Sequence, residues 1–263
     1  MKKTNVSVKD LFVELRPKFF REVVGQQAVV TAITTMIAEK KIPNAILVTG
    51  KMGTGKSTLA RLAVKSTCCM RRKHGDSEPC GRCISCEMIE AGMGSYGCSF
   101  FGPAYQADPK SLANAIRVVQ AGGLLWSDTL PNALWIDDVD LLPSKSQVVL
   151  RGSLDESWDD GYLVATTTTP EKLDQPMRQR MVEFAVKRPE IPELENWVKA
   201  MATARLQLKI EEQDAIRDLV SIGERNYRSI IKILAGVYGA GAAINCNSVK
   251  LAALQCGYWI PRD

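Results

Sequence analysis

The segment Gly50-Lys51-Met52-Gly53-Thr54-Gly55-Lys56-Ser57 fits the pattern G-x-x-x-x-G-K-[ST], and Thr58 follows directly. Glycines in such a loop let the backbone turn with its N–H groups pointing at phosphate oxygens. Gly50, Gly53 and Gly55 would shape that turn, Lys56 would bring a point charge to the β- and γ-phosphates, and Ser57 would offer a hydroxyl to Mg2+. A helix beginning at Ser57 would add the positive end of its dipole. Further along, residues 133–140 read ALWIDDVD, an apolar run that ends in two carboxylates, with a third at Asp140. In a P-loop ATPase an acidic residue at this place holds Mg2+, which fits Asp137, and its neighbour orients the attacking water, which fits Asp138.

A second cluster suits a metal. Of eight cysteines, Cys80, Cys83 and Cys86 lie in PCGRCISC, and Cys68 and Cys69 stand just upstream. In a reducing compartment such spacing points to a metal and away from disulfides. Zinc in a closed structural site takes four ligands, so one more is needed. Cys69, Cys68 and His74 are the candidates. The site would brace a loop with little apolar sequence of its own. Cys98, Cys246 and Cys256 are scattered and read as small buried hydrophobes.

These residues need elements to hold them. Ala45 to Val48 reads as a short strand running into Thr49-Gly50, and Ser57 to Lys65 as the helix after the loop. Val29, Val30, Ile33, Met36 and Ile37 share one helical face within residues 26–40. Lys110 to Gln120 also looks helical, and Ala133 to Ile136 and Tyr162 to Thr166 are two more apolar strands. The Cys- and Gly-rich stretch 67–97 interrupts the alternation. Strands alternating with helices predict an α/β domain with a parallel sheet. Pro189 and Pro192 mark a break, after which Glu193–Leu206, Glu211–Ile222, Arg228–Tyr238 and Ser248–Cys256 read as helices. The expected organisation is a P-loop domain over 1–188, with a zinc module at about 68–87, and a small all-helical lid over 189–263.

The 263 residues suffice for such a pair of domains, and 46% hydrophobic with 24% charged residues is the balance of a globular chain. No apolar run approaches the roughly 18 residues of a spanning helix, and the start MKKTNVSVKDLF has no apolar core of a secretory signal. A cytoplasmic protein with no membrane partner is expected. The net charge of +5 permits an anionic partner without requiring one.

From about Leu11 to the end, the sequence resembles the AAA+ clamp-loader ATPases, in particular the gamma/tau subunit family of bacterial DNA polymerase III. LRPKFFREVVGQ (15–26) is similar to that family's N-terminal signature, which sits near the adenine, and GKMGTGKSTLAR to its phosphate loop and following helix. PCGRCISC resembles its zinc module, WIDDVDLL its metal-binding strand, and LRGSLDE (150–156) the helix that follows. VATTTTPEKL (164–173) resembles its first sensor, RQRM (178–181) stands where it has Ser-Arg-Cys, and GERNYRSIIKIL (223–234) resembles the sensor in its lid.

The resemblance implies ATP, Mg2+ and Zn2+ as ligands. By motif position it makes Cys69 the fourth zinc ligand beside Cys80, Cys83 and Cys86. It makes Thr166 or Thr167 the first sensor, Arg180 an arginine finger reaching a neighbouring subunit's ATP, and Arg228 the second sensor. Asp138 stands where the family usually has glutamate. The implied partners are other clamp-loader subunits, as homo- or hetero-oligomer, a sliding clamp, and primer-template DNA contacted without sequence preference. Lys110, Ser111 and Arg117 are the candidate phosphate contacts. The family's third, collar domain is not expected within these residues. The implied activity is that of an ATP-hydrolysing motor subunit that loads the clamp. Two alternatives are a nucleotide-dependent switch with little hydrolysis and another DNA-associated AAA+ ATPase such as a helicase loader.

Overall fold

The structure is a computed structural model that describes residues 11–94, 98–121, 132–158 and 161–259. The strands are β1 (Ala45–Gly50), β2 (Cys98–Phe101), β3 (Asn132–Ile136), β4 (Gly161–Thr167) and β5 (Val182–Val186). They form one parallel sheet in the order β2-β3-β4-β1-β5. The fold is therefore the expected α/β class, with two strands, β2 and β5, that the sequence reading had not marked.

Buried on both faces, the central strands read as continuous apolar runs, as in parallel sheets generally. Their alternate residues feed two different cores. Ile46, Val48, Trp135, Tyr162 and Val164 face one side, under α2 (Gln27–Ala38) and α3 (Lys56–Thr67). Ala45, Leu47, Leu134, Ile136, Leu163 and Ala165 face the other, under α5 (Pro109–Gln120) and α6 (Ser144–Ser153). Of the predicted apolar stripe on α2, Val30, Ile33 and Ile37 are buried, and Val29 and Met36 are half-buried.

The remaining short helices are α1 (Leu11–Glu14), α4 (Ile84–Glu90) and α7 (Gln175–Gln179). After β5 the described chain is helical: α8 (Ile191–Ala200), which runs on into a π turn at Met201–Arg205, then α9 (Asp214–Ile222), α10 (Tyr227–Gly239) and α11 (Cys246–Gln255). These pack around their own core, which also takes in Leu11 and Leu15 from the start of the described chain. Cys98 is buried as expected, whereas Cys246 and Cys256 are only half-buried. No helix among the described residues is long and apolar enough to cross a membrane.

β1 and β4 are neighbours, and the connection from β1 to β2 runs to one side of the sheet while that from β4 to β5 runs to the other, so connections leave their carboxyl ends in opposite directions. In open parallel sheets, ligands bind in the crevice at that point. α3 departs from there, and Lys65, near its other end, joins it to the cysteine-rich region. Lys65 is 2% exposed, with its Nζ 2.5 Å from Glu90 Oε2 on α4 and 3.3 Å from the Lys18 carbonyl. Removing one partner of a buried pair leaves an uncompensated charge. Glu90→Ala is expected to lower the denaturant midpoint by an amount equivalent to about 2–3 kcal/mol, and Glu90→Gln, which keeps an acceptor, by less.

Candidate nucleotide site and metal centre

The phosphate loop folds on itself at the end of β1. Thr54 Oγ1 and Lys56 Nζ both donate to the Lys51 carbonyl, at 2.8 and 3.0 Å. Gly53 (φ +75°) and Gly55 (φ +101°) lie in the region of backbone space that side chains disfavour. α3 begins at Lys56, one residue before the predicted Ser57, so the loop amides and the helix dipole converge as the motif requires.

Above the loop is a cavity of about 410 Å³. Gly53, Gly55, Lys56, Ser57 and Thr58 form its floor. Asp137, Asp138 and Asp140 form an acidic wall, and Arg228 enters from α10. Leu15, Val23, Val24, Trp197 and Tyr227 give it an apolar end. The segment 15–26 thus reaches the cavity, which Arg16 of the same segment also lines. Gly50, at the end of β1, turns away beneath the loop, where a Cβ would stand 2.4 Å from the Val186 carbonyl.

The carboxylates are held by threonines of the neighbouring strand. Thr166 Oγ1 donates to Asp137 Oδ1 at 2.6 Å and accepts from the Asp138 amide at 3.0 Å. Thr167 Oγ1 donates to Asp140 Oδ1 at 2.6 Å, and Thr169 Oγ1 to Asp140 Oδ2 at 2.8 Å. Both sensor candidates are fully buried behind the acids, and it is Thr168 and Thr169 that line the cavity. Asp138 takes left-handed backbone angles (φ 55°, ψ 58°), which aspartate tolerates better than most residues. Burial raises its pKa, Asp137 and Asp140 raise it further, and Lys56 and Arg228 oppose them. Burial lowers the Lys56 pKa, against the pull of Asp138 and Asp137.

The helical region meets the loop through hydrogen bonds to its backbone carbonyls, made by Asn226 and Tyr227. The Tyr227 amide donates to the Gly53 carbonyl at 3.1 Å, and Asn226 Nδ2 to the Met52 carbonyl at 3.0 Å. Asn226 Oδ1 also caps α10 by accepting from the Arg228 and Ser229 amides. Tyr227 OH donates to the Val24 carbonyl at 2.5 Å, on the segment that forms the apolar end. Asn226, Tyr227, Asp140, Thr169 and Arg16 are the site residues that sequence reasoning did not assign. All five stand inside quoted motifs, and that was their only signal, apart from Asp140, whose carboxylate was noted without a role.

Arg180 is not in this cavity. It lies on the surface after α7, its Nε hydrogen-bonded to Asp155 and its Nη1 2.6 Å from the Pro176 carbonyl. Arg178 is tied instead to Glu183 at 2.6 Å, and Glu183 accepts from Thr49 of β1. Lys110, Ser111 and Arg117 are exposed on α5. The amides of Lys110 and Ser111 already donate to Asp108, whose carboxylate occupies the place a phosphate would take.

Cys69, Cys80, Cys83 and Cys86 bring their sulfurs within 4.8 Å of one another, and Cys80 and Cys86 are 4.0 Å apart. A tetrahedral zinc with bonds of about 2.3 Å sets sulfurs about 3.8 Å apart, so the four fit it. The hydrogen bond from Cys86, joined by one from the Cys80 amide, pulls the Cys69 thiol well below the usual cysteine range, to about 4, towards the thiolate that metal requires. Cys68 is elsewhere, in the core beside α3, where burial pushes it up to about 12. His74 is exposed and outside the cluster.

Comparison with known proteins agrees with this picture. The profile of the family described as DNA polymerase III, delta subunit, matches residues 25–97. The chain is 31% identical over 175 residues to DNA polymerase III subunit gamma of Buchnera aphidicola subsp. Baizongia pistaciae, covering 65% of this chain and 45% of that one. It is 26% identical over 222 residues to subunit tau/gamma of Haemophilus influenzae, covering 80% of this chain and 31% of that one. The chain thus spans less than half the length of these relatives. Among solved structures, the RuvB Holliday junction branch migration motor of Thermotoga maritima aligns with 92% of this chain and 73% of its own at a TM-score of 0.63, with 18% identity, a likeness of fold alone. Motifs, fold and sequence similarity point the same way: the chain has the fold of the RuvB motor and is similar over most of its length to the gamma and tau subunits of DNA polymerase III.

Proposed function

We propose that the chain is an ATP-hydrolysing motor subunit of a DNA polymerase clamp loader. The observation that carries this reading is that Lys56, Asp137, Asp138 and Arg228 surround one cavity while Arg180 stands outside it. Such a site binds nucleotide in one chain and needs a group from the next for turnover. The phosphate-loop amides and Lys56 hold the phosphates, and Asp137 with Ser57 holds Mg2+, which supplies charge neutralisation there. Asp138 orients the water, with Thr166 fixing its backbone from behind. Arg228 carries the state of the phosphates to α10. Arg180 exchanges Asp155 for a neighbour's nucleotide. The zinc cysteines are structural. The change from sheet to helices after Val186 supports a division at about residue 188.

The partners in this reading are other loader subunits, a sliding clamp and primer-template DNA, in the cytoplasm. The exposed Lys110 and Arg117 would meet DNA phosphates through their side chains, since the α5 amides are taken by Asp108. Turnover measured with clamp, primed DNA and partner subunits tests the proposal. Stimulation by clamp and DNA together is expected. Turnover indifferent to both would remove the loader role and favour another AAA+ function.

One observation favours weak hydrolysis. Asp138 is one methylene shorter than glutamate, which draws the carboxylate back by about 1.5 Å, and a misplacement of about 1 Å can cost on the order of 100-fold in rate. The isolated chain is expected to turn over slowly.

Asp138→Asn should lower stimulated turnover about 100-fold or more while nucleotide affinity stays within about twofold. Because burial and the neighbouring Asp137 and Asp140 raise the Asp138 pKa and the base must be ionised, the acid limb of turnover should be shifted up from that of an exposed aspartate, which a pH–rate profile reads. Arg180→Ala should cost on the order of 1,000-fold in the assembled complex and leave nucleotide binding by the single chain unchanged. Zinc should bind at about one per chain, and Cys83→Ser should lose it and lower the melting temperature of the α/β region. Full metal retention in that variant would rule out this ligand set.

A further inference from the structure

The cysteine module does more than close its own loop. It reaches the segment that lines the nucleotide cavity, chiefly through Glu78. Phe20–Glu22 forms a single 3-10 turn, and Phe19 at its start provides no side-chain cap. The orphan amides at that start are satisfied from far away in the sequence. Glu78 Oε2 accepts from the Phe20 amide and Glu78 Oε1 from the Arg21 amide, both at 2.9 Å. Glu78 stands two residues before Cys80, on the loop between Cys69 and Cys80.

That loop has no regular structure and is held at both ends by the cluster. The Cys80 amide donates to Cys69 Sγ at 3.2 Å. Between them, Ser66 Oγ donates to the Ser77 carbonyl at 2.5 Å, and Arg72 donates to the carbonyls of Ser66 and Asp76. Asp76 Oδ1 accepts from the Glu78 amide. A second contact runs parallel to the first: Phe19 lies against Gly81, between Cys80 and Cys83, where a Cβ would stand 3.0 Å from the ring.

The capped turn leads straight into the cavity. Glu22, Val23 and Val24 line it, and the Val24 carbonyl receives Tyr227 OH from α10. The module therefore fixes the segment against which both the nucleotide base and the helical region rest. We infer that Glu78 is a positioning residue for the nucleotide pocket, through which metal occupancy of the cysteine cluster and nucleotide affinity are coupled. This rests on the proposed nucleotide site. Coupling of this kind is reciprocal, so nucleotide must retain the metal as the metal favours nucleotide.

The test uses the full chain loaded with zinc, a fluorescent ATP analogue with Mg2+, and a colorimetric chelator. Glu78→Ala should weaken analogue binding about tenfold, with zinc still at one per chain, and Glu78→Gln, which keeps one acceptor oxygen, should recover part of the loss. In the wild type, bound analogue should tighten zinc several-fold in equilibrium competition with the chelator, and Glu78→Ala should abolish that tightening. Unchanged affinity in Glu78→Ala, or a zinc affinity indifferent to the analogue in the wild type, overturns the inference. If Glu78→Ala does not fold, the wild-type zinc affinities alone decide. A wild type that binds no analogue refutes the nucleotide site itself, which is a different result.

Discussion

The constraint on which the site depends is the close approach of α10 to the phosphate loop. The Tyr227 amide meets the Gly53 carbonyl, and a Cβ on Gly53 would stand 1.9 Å from Asn226 Oδ1. Gly53 thus serves two needs at once, a left-handed turn and room for a helix start. From that contact the rest of the cavity follows. The start of α10 brings Arg228 to the cavity above the loop, and Tyr227 OH draws in Val24 as the apolar end. Three stretches far apart in sequence are fixed by three hydrogen bonds to backbone carbonyls, which are indifferent to the side chains of the residues they bind.

The acidic wall has a different logic. Three carboxylates lie close together in a half-buried cleft, and their repulsion must be offset. Threonine hydroxyls from β4 donate to Asp137 and Asp140, which fixes those two side chains in place. Asp138 has its amide anchored while its side chain is left to the cavity, and its pKa rises accordingly. The neighbourhood so divides the acids into two whose side chains are held by hydroxyls and one whose side chain is left to the cavity.

The phosphate loop, the strand-end aspartates and the cysteine spacing were legible because each is set by geometry within a few residues. The central strands were legible because burial on both faces leaves an unbroken apolar run. β5 was missed because it is an edge strand whose sequence, VEFAV, mixes an exposed glutamate with apolar residues. β2 is four residues long, and α4 starts inside the cysteine motif, so neither shows enough period to be seen. The pairing of Thr166 with Asp137 depends on β3 and β4 being neighbours, and a run of four threonines carries no register. The occupation of the α5 amides by Asp108 was a local cap signal beside a helix read instead for phosphate contacts.

Titration of a non-hydrolysable ATP analogue with Mg2+ into the single chain, followed by calorimetry, tests the nucleotide site most directly. One molecule bound per chain is expected, with binding lost in Lys56→Ala and retained in Arg180→Ala. Failure of the wild type to bind, or undiminished binding in Lys56→Ala, would contradict the account.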